Sequence, residues 1–174
     1  MTVPGPIPSN LSWSAIAEYT RRIAAEHGVH QKLPVDMRRL VDLLGGSVHV
    51  LDGPVALWVR GKGDFTVYVP VHTSTTQDRI AFAHAVGHYF LHYRATGYEA
   101  GDMFFGRACR GRPAVEANVF ASALLMPREE FTAAWSKHRG EVWAVAGVFG
   151  VSPAAVRTRA QALNCDLAPG DVTR

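Results

Sequence analysis

The chain has 174 residues, of which 48% are hydrophobic, and this suffices for one domain with a buried core. No stretch is apolar for long enough to cross a membrane, the first ten residues lack a signal-peptide layout, and Cys109 and Cys165 are too few for a disulfide framework. These features predict a cytoplasmic protein with no membrane partner, and the formal charge of +3 gives no indication of nucleic-acid binding.

Two helices are predicted near the N-terminus, after a flexible arm over residues 1–10 that contains three prolines. Ser12 or Ser14 can cap the first helix, which runs to about His27 with an apolar stripe of period 3.6. Asp36 is a plausible cap for a second, shorter helix that ends at two glycines.

A small antiparallel sheet of three strands is predicted over residues 47–51, 55–59 and 65–71, because short β-branched or aromatic runs alternate there with turn formers. Pro70 lacks a donor and suits an edge strand. An edge near Val69 offers a groove in which an extended peptide adds itself as another strand. The alternative is that proline only protects this edge against aggregation.

Residues 76–93, TQDRIAFAHAVGHYFLHY, are predicted to form one amphipathic helix with histidines at intervals of four. His84 and His88 therefore share a face, as in the zinc-peptidase pattern HExxH, whose glutamate acts as the general base. Ala85 stands in the position of that glutamate. Taken alone, the pair also fits two core histidines with satisfied hydrogen bonds. His92 is predicted to support the site or to pack, since it lies two turns from the first histidine.

A zinc site with an open position needs a third protein ligand, and Glu116 is the candidate. It is the only carboxylate of an apolar helix predicted over residues 113–126. Burial of an unpaired carboxylate is costly, so we expect an ion or a hydrogen-bonding partner beside it. Glu99 and Asp102, in the preceding glycine-rich segment, are more simply explained as solvated side chains.

The segments RIAFAHAVGHYFLH and EANVFASALLMP carry a resemblance to the ImmA/IrrE family of metallo-endopeptidases. That family has an arginine followed by AHElGHxxlH, and later a glutamate shortly before ANxFAxxLLMP. The resemblance covers most of the chain. It implies a zincin-like α+β fold, in which the sheet packs on a mainly helical bundle, and one Zn2+ ion. It also implies that His84, His88 and Glu116 are the zinc ligands, and Asn118 matches the asparagine of the second motif.

The chain departs from the family at Ala85, where the resemblance implies a catalytic glutamate. A methyl group accepts no proton, so we expect peptide hydrolysis to fall by about 100-fold to 10,000-fold while the metal ligands remain. An engineered Glu→Ala change and a natural pseudoprotease both fit, and retention of the other motif residues favours the engineered change. His72, Tyr93 and His138 are candidates for stabilising the oxyanion, and no sequence feature selects among them.

Family members cleave helix-turn-helix transcriptional repressors and so derepress phage, mobile-element or stress genes. The resemblance implies a protein substrate of this kind, laid along the edge strand near Val69. A natural pseudoprotease that binds a repressor or another partner is the alternative.

A DNA-binding regulator is a second alternative, because residues 139–174 are predicted as a helix-turn-helix-like pair and tail that pack on the main domain, residues 11–138. Arg157 and Arg159 lie on the second helix of that pair. Its first residues, PAAV, offer few side chains that read bases, and two arginines are a thin phosphate footprint. The sequence therefore argues against DNA binding.

Three further arginines, at positions 107, 110 and 112, are predicted to lie in a solvated loop.

Overall fold

The structure, a computed structural model, describes residues 6–71, 74–97, 102–106 and 109–165. Within these residues the chain forms seven α-helices and one four-stranded mixed sheet, which confirms the α+β class. The helices are α1 (Trp13–Glu26), α2 (Met37–Leu43), α3 (Thr75–His88), α4 (Arg112–Leu125), α5 (Arg128–Lys137), α6 (Val142–Phe149) and α7 (Pro153–Ala162). The strands are β1 (Gly46–Leu51), β2 (Ala56–Gly61), β3 (Asp64–Pro70) and β4 (Met103–Phe105).

Short polar side chains begin several of these helices. Ser12 caps α1, Asp36 caps α2 and Ser152 caps α7, each by accepting a hydrogen bond from a backbone amide three residues later. The caps at Ser12 and Asp36 confirm the predictions. Helix α3 begins with a capping box that the sequence analysis missed, in which Ser74 and Gln77 each bind the other's backbone amide.

The order of the strands corrects the prediction of a three-stranded antiparallel sheet. The order is β1-β3-β2-β4, with β1 parallel to β3 and β2 antiparallel to both of its neighbours. Strand β4 lies in the glycine-rich segment before α4, where no strand was predicted. The alternation of apolar residues indicates which face of a strand is buried, but it does not specify the neighbouring strands.

The hypothesis of a peptide groove along an edge near Val69 is wrong, because β3 lies between two other strands. Val69 is 2% exposed and pairs with Val50 of β1. Pro70 is the last residue of β3, where its missing donor interrupts no interior ladder of hydrogen bonds.

Close packing of α3 against α4 brings the histidine helix to the helix that carries Glu116. Gly87 permits this approach, since a methyl group there would lie 3.1 Å from the Ala117 carbonyl oxygen and 3.2 Å from the Phe120 Cβ. The α-helix then ends at His88 and continues as a π-helical turn, Tyr89–Arg94. The prediction of one α-helix over residues 76–93 is therefore wrong in its last turns.

Replacement of Gly87 by valine is expected to lower the free energy of unfolding by about 1–3 kcal/mol, because the added side chain must separate the two helices. Gly147 provides the matched control: it lies on α6, and a methyl group there meets no heavy atom within 4 Å. Gly147→Val should change stability by less than about 0.5 kcal/mol. Urea denaturation of both variants measures the difference, and equal midpoints would contradict the close contact.

Arg79 joins α3 to the C-terminal helices. Its guanidinium donates to the carbonyl oxygens of Phe149 and Gly150 at the end of α6, at 3.2 and 3.1 Å, and to that of Val35 at 2.7 Å. Carbonyls at the end of a helix lack intrahelical donors, so the arginine satisfies them.

Within the part of the chain that the structure describes, no helix combines the length and the apolar content that a membrane span requires.

Candidate metal centre

A cleft of about 490 Å³ lies between the sheet and α3, and it contains the histidine pair. Helix α3 contributes His84, Ala85 and His88, and α4 contributes Asn118. The rest of the lining comes from the start of β2 with its preceding residues, from α3 and from the end of β4: Pro54, Val55, Ala56, Leu57, Gln77, Ile80, Ala81, Phe105, Gly106 and Cys109.

The three histidines of this region are neutral at physiological pH. Burial lowers the pKa of His84, His88 and His92, and a hydrogen bond to Asn118 offsets only part of the effect at the first of them. The pKa of His88 falls to about 2, because burial is joined there by the charges that the other two imidazoles would carry. Each ring therefore carries one proton, on one of its two nitrogens.

Hydrogen bonds from α4 determine which nitrogen of His88 is protonated. The Glu116 carboxylate accepts from His92 Nε2 at 2.9 Å, so that nitrogen holds the proton of the neutral ring. His92 Nδ1 is then a bare acceptor, and it lies 2.8 Å from His88 Nδ1, which must donate to it. Because His88 uses its one proton in this bond, its Nε2 is unprotonated.

The same reasoning gives the tautomer of His84. Its Nδ1 donates to the Asn118 amide oxygen at 2.8 Å, so its Nε2 is also unprotonated. The two bare Nε2 atoms of His84 and His88 face each other at 3.1 Å. Two lone pairs at this distance repel each other unless a proton or a metal ion lies between them. The pair therefore fits a metal ion that binds both nitrogens.

The Glu116 carboxylate is 0% exposed and accepts four hydrogen bonds. Ser9 N and His92 Nε2 donate to Oε2 at 2.8 and 2.9 Å, while Asn10 N and Arg112 Nε donate to Oε1 at 3.2 and 2.8 Å. Burial alone would raise the pKa of Glu116, but the bonds from His92, Ser9 and Arg112 together lower it to about 2. The carboxylate is therefore ionised.

Arg112 corrects part of the prediction of a solvated arginine loop. Its side chain is 45% exposed, yet it is bonded to Glu116 and also donates to the Leu11 carbonyl at 3.0 Å. Arg107 lies outside the described residues.

The remaining candidate residues lie in different surroundings. Ala85 is 2% exposed and lines the cleft. Tyr93 is buried with its ring stacked on Tyr89, and it does not line the cleft. His72 lies outside the described residues. Among the residues with described side chains, no three histidine, cysteine, aspartate or glutamate residues form a ready metal-binding group. The ligand roles of His84, His88 and Glu116 thus stay predictions.

The sequence assigned no role to two residues of the cleft. Phe105 of β4 stacks on the His88 ring with 4.8 Å between ring centroids. Cys109 follows β4, and its Sγ lies 3.5 Å from His88 Nε2; burial raises the pKa of this thiol. The only signal for either was nearness in sequence to Glu116, because a three-residue strand in a glycine-rich segment has too little periodicity to detect.

A family model described as the IrrE N-terminal-like domain, Peptidase M78, matches residues 60–161. The chain belongs to this family of metallopeptidases, and the predicted resemblance to ImmA/IrrE is confirmed. The matched range runs from β2 into α7 and includes His84, His88 and Glu116. No curated protein matches the sequence significantly.

Proposed function

We propose that this chain is a zinc-binding endopeptidase domain of the ImmA/IrrE type that recognises a helix-turn-helix repressor and whose catalysis is blocked at Ala85. One observation carries the metal part of the proposal. Hydrogen bonds from α4 leave the Nε2 atoms of His84 and His88 unprotonated and directed at each other, at 3.1 Å.

His84 and His88 would hold the ion, with Glu116 as third ligand in line with the family resemblance. The Glu116 carboxylate does not line the cleft in this structure, so to reach the ion it would have to turn towards the histidine pair and give up at least one of its four hydrogen bonds. Asn118 and His92 would keep the two ligand rings in the required tautomers. Zinc in such a site supplies Lewis-acid activation of water and of the scissile carbonyl.

Ala85 accounts for the proposed loss of turnover. Its methyl group lines the cleft next to His84 and cannot accept a proton. The rest of the motif is retained, including the hydrogen-bond partners that set both tautomers. This completeness supports an engineered Glu→Ala change over a natural pseudoprotease.

The proposed substrate is a protein, laid as an added strand along β4. In the part of the chain that the structure describes, β4 pairs with β2 on one side and with no strand on the other. Phe105 of β4 lines the cleft, and Phe104 is 53% exposed beside it. A peptide bound along this edge would pass the histidine pair. That the protein is a helix-turn-helix repressor follows from the family resemblance.

The structure gives no support to the alternative of a DNA-binding regulator. Arg159 was one of two arginines expected to contact phosphates, but it is only 7% exposed and donates to the Met126 carbonyl at 2.9 Å. A guanidinium that is buried and bonded to the backbone is not exposed for contact with phosphates.

Metal analysis of the purified chain tests the proposed centre, and about one equivalent of zinc is expected. His84→Ala and His88→Ala should each lose the ion. His49→Ala is the matched control, because His49 is exposed on β1 and should leave the zinc content unchanged. Absence of zinc affinity in the unaltered chain would overturn the proposal.

A further inference from the structure

The Cys109 thiol lies beside the histidine pair, in the same cleft. Its Sγ is nearer to His88 Nε2, at 3.5 Å, than to His88 Nδ1, at 4.0 Å. The backbone holds this position, since the Cys109 amide donates to the Gly106 carbonyl at 2.9 Å, just beyond β4. The thiol therefore approaches the nitrogen that would bind the metal.

His88 Nε2 is a buried nitrogen whose hydrogen-bond donor in the metal-free protein is the Cys109 thiol. The residue is 2% exposed, and its proton is committed to His92 through Nδ1. Within the described part of the chain, the polar atoms recorded near His88 Nε2 are the bare His84 Nε2 and the Cys109 sulfur. The sulfur is thus the third potential metal donor at this point.

The measured distances match those of atoms that share one zinc ion. Tetrahedral zinc with ordinary Zn–N and Zn–S bonds separates two nitrogens by about 3.3 Å, and a nitrogen from a sulfur by about 3.5 Å. The corresponding distances are 3.1 Å between the two Nε2 atoms and 3.5 Å from His88 Nε2 to Sγ. Among the described residues no three such donors form a ready group, so the Cys109 side chain would have to move when the ion binds.

We propose that the Cys109 thiolate is a direct ligand of the zinc ion held by His84 and His88. With Glu116 as the remaining ligand, this sulfur fills the position that a catalytic zinc site keeps open. Binding forms a Zn–S bond, breaks the S–H bond and releases the proton to solvent, with no change in oxidation state. The inference rests on the zinc site of the proposed function, and it adds a ligand that occupies the open coordination position of that site.

Substitution with Co2+ tests the sulfur ligand by a spectroscopic signal that does not depend on turnover. The unaltered protein should show the sulfur-to-cobalt charge-transfer band, and Cys109→Ser should lose the band while it still binds Co2+. Cys165→Ser is the matched control, because Cys165 is the other half-buried free thiol and should keep the band.

Cobalt bound by the unaltered protein without a sulfur band would overturn the role of Cys109 and leave the proposed zinc site standing. Absence of Co2+ binding would overturn the proposed function itself. A second measurement avoids mutation: saturating zinc should abolish alkylation of Cys109 by iodoacetamide and leave alkylation of Cys165 unchanged. Equal labelling of Cys109 with and without zinc would contradict the proposal.

Discussion

Replacement of Ala85 by glutamate is expected to raise the rate of repressor cleavage by about 100-fold to 10,000-fold, which is the usual contribution of a general base. The new carboxylate would extend from α3 into the cleft next to His84, where the present methyl group already lines the wall. Cleavage of the helix-turn-helix repressor encoded nearest to this chain, followed by gel electrophoresis and mass spectrometry, measures the effect.

Glutamine at position 85 is the matched control, because it has the size of glutamate but does not accept the proton. It should stay at the basal rate. If the Cys109 sulfur closes the metal site, Ala85→Glu combined with Cys109→Ser should be faster than Ala85→Glu alone. A glutamate variant that binds both zinc and the repressor but cleaves nothing would support a pseudoprotease instead.

Replacement of Glu116 by alanine is expected to destabilise the metal-free protein by about 3–5 kcal/mol, the usual cost of removing one partner from a buried ionic network. Four donors would lose their acceptor, namely the amides of Ser9 and Asn10, the Arg112 guanidinium and the His92 ring. Glutamine should cost less, because its amide oxygen still accepts. Denaturant unfolding in the presence of a chelator measures both losses, and equal stabilities would show that the network contributes nothing.

Acid should remove the same stabilisation in the unaltered, metal-free protein. The pKa of Glu116 is about 2 in the folded state, against about 4.3 for an unfolded glutamate. A lowered folded pKa stabilises the protein above pH 4.3, and this stability is lost as the pH falls towards 2. The loss is on the order of 3 kcal/mol, and Glu116→Gln should lack it. A variant with the same acid dependence would contradict this assignment.

Local features of the fold could be predicted from the sequence, because they depend on neighbouring residues. Ser12 and Asp36 cap helices as expected, and both histidines of HAVGH share a face of α3. The order of the strands could not be predicted, since Val69 pairs as readily at an edge as in the centre of a sheet.

Prediction of the site was limited by contacts between residues that are distant in sequence. The need of Glu116 for a partner follows from its apolar surroundings, but its partners include the backbone amides of Ser9 and Asn10 at the other end of the chain. Nearly every residue carries a backbone N–H group, so the sequence does not indicate which of these groups will bind the carboxylate. The approach of Cys109 to His88 likewise depends on the bond from its backbone amide to the Gly106 carbonyl.

Helix α4 has a further role that follows from two of its side chains. Asn118 sets the proton position of His84 directly, while Glu116 sets that of His88 through His92. Both imidazoles therefore present an unprotonated Nε2 to an ion only while α4 keeps its present position along α3. A displacement of α4 along α3 would disturb both tautomers together. The tight contact at Gly87 therefore also maintains the tautomers of the metal-binding pair.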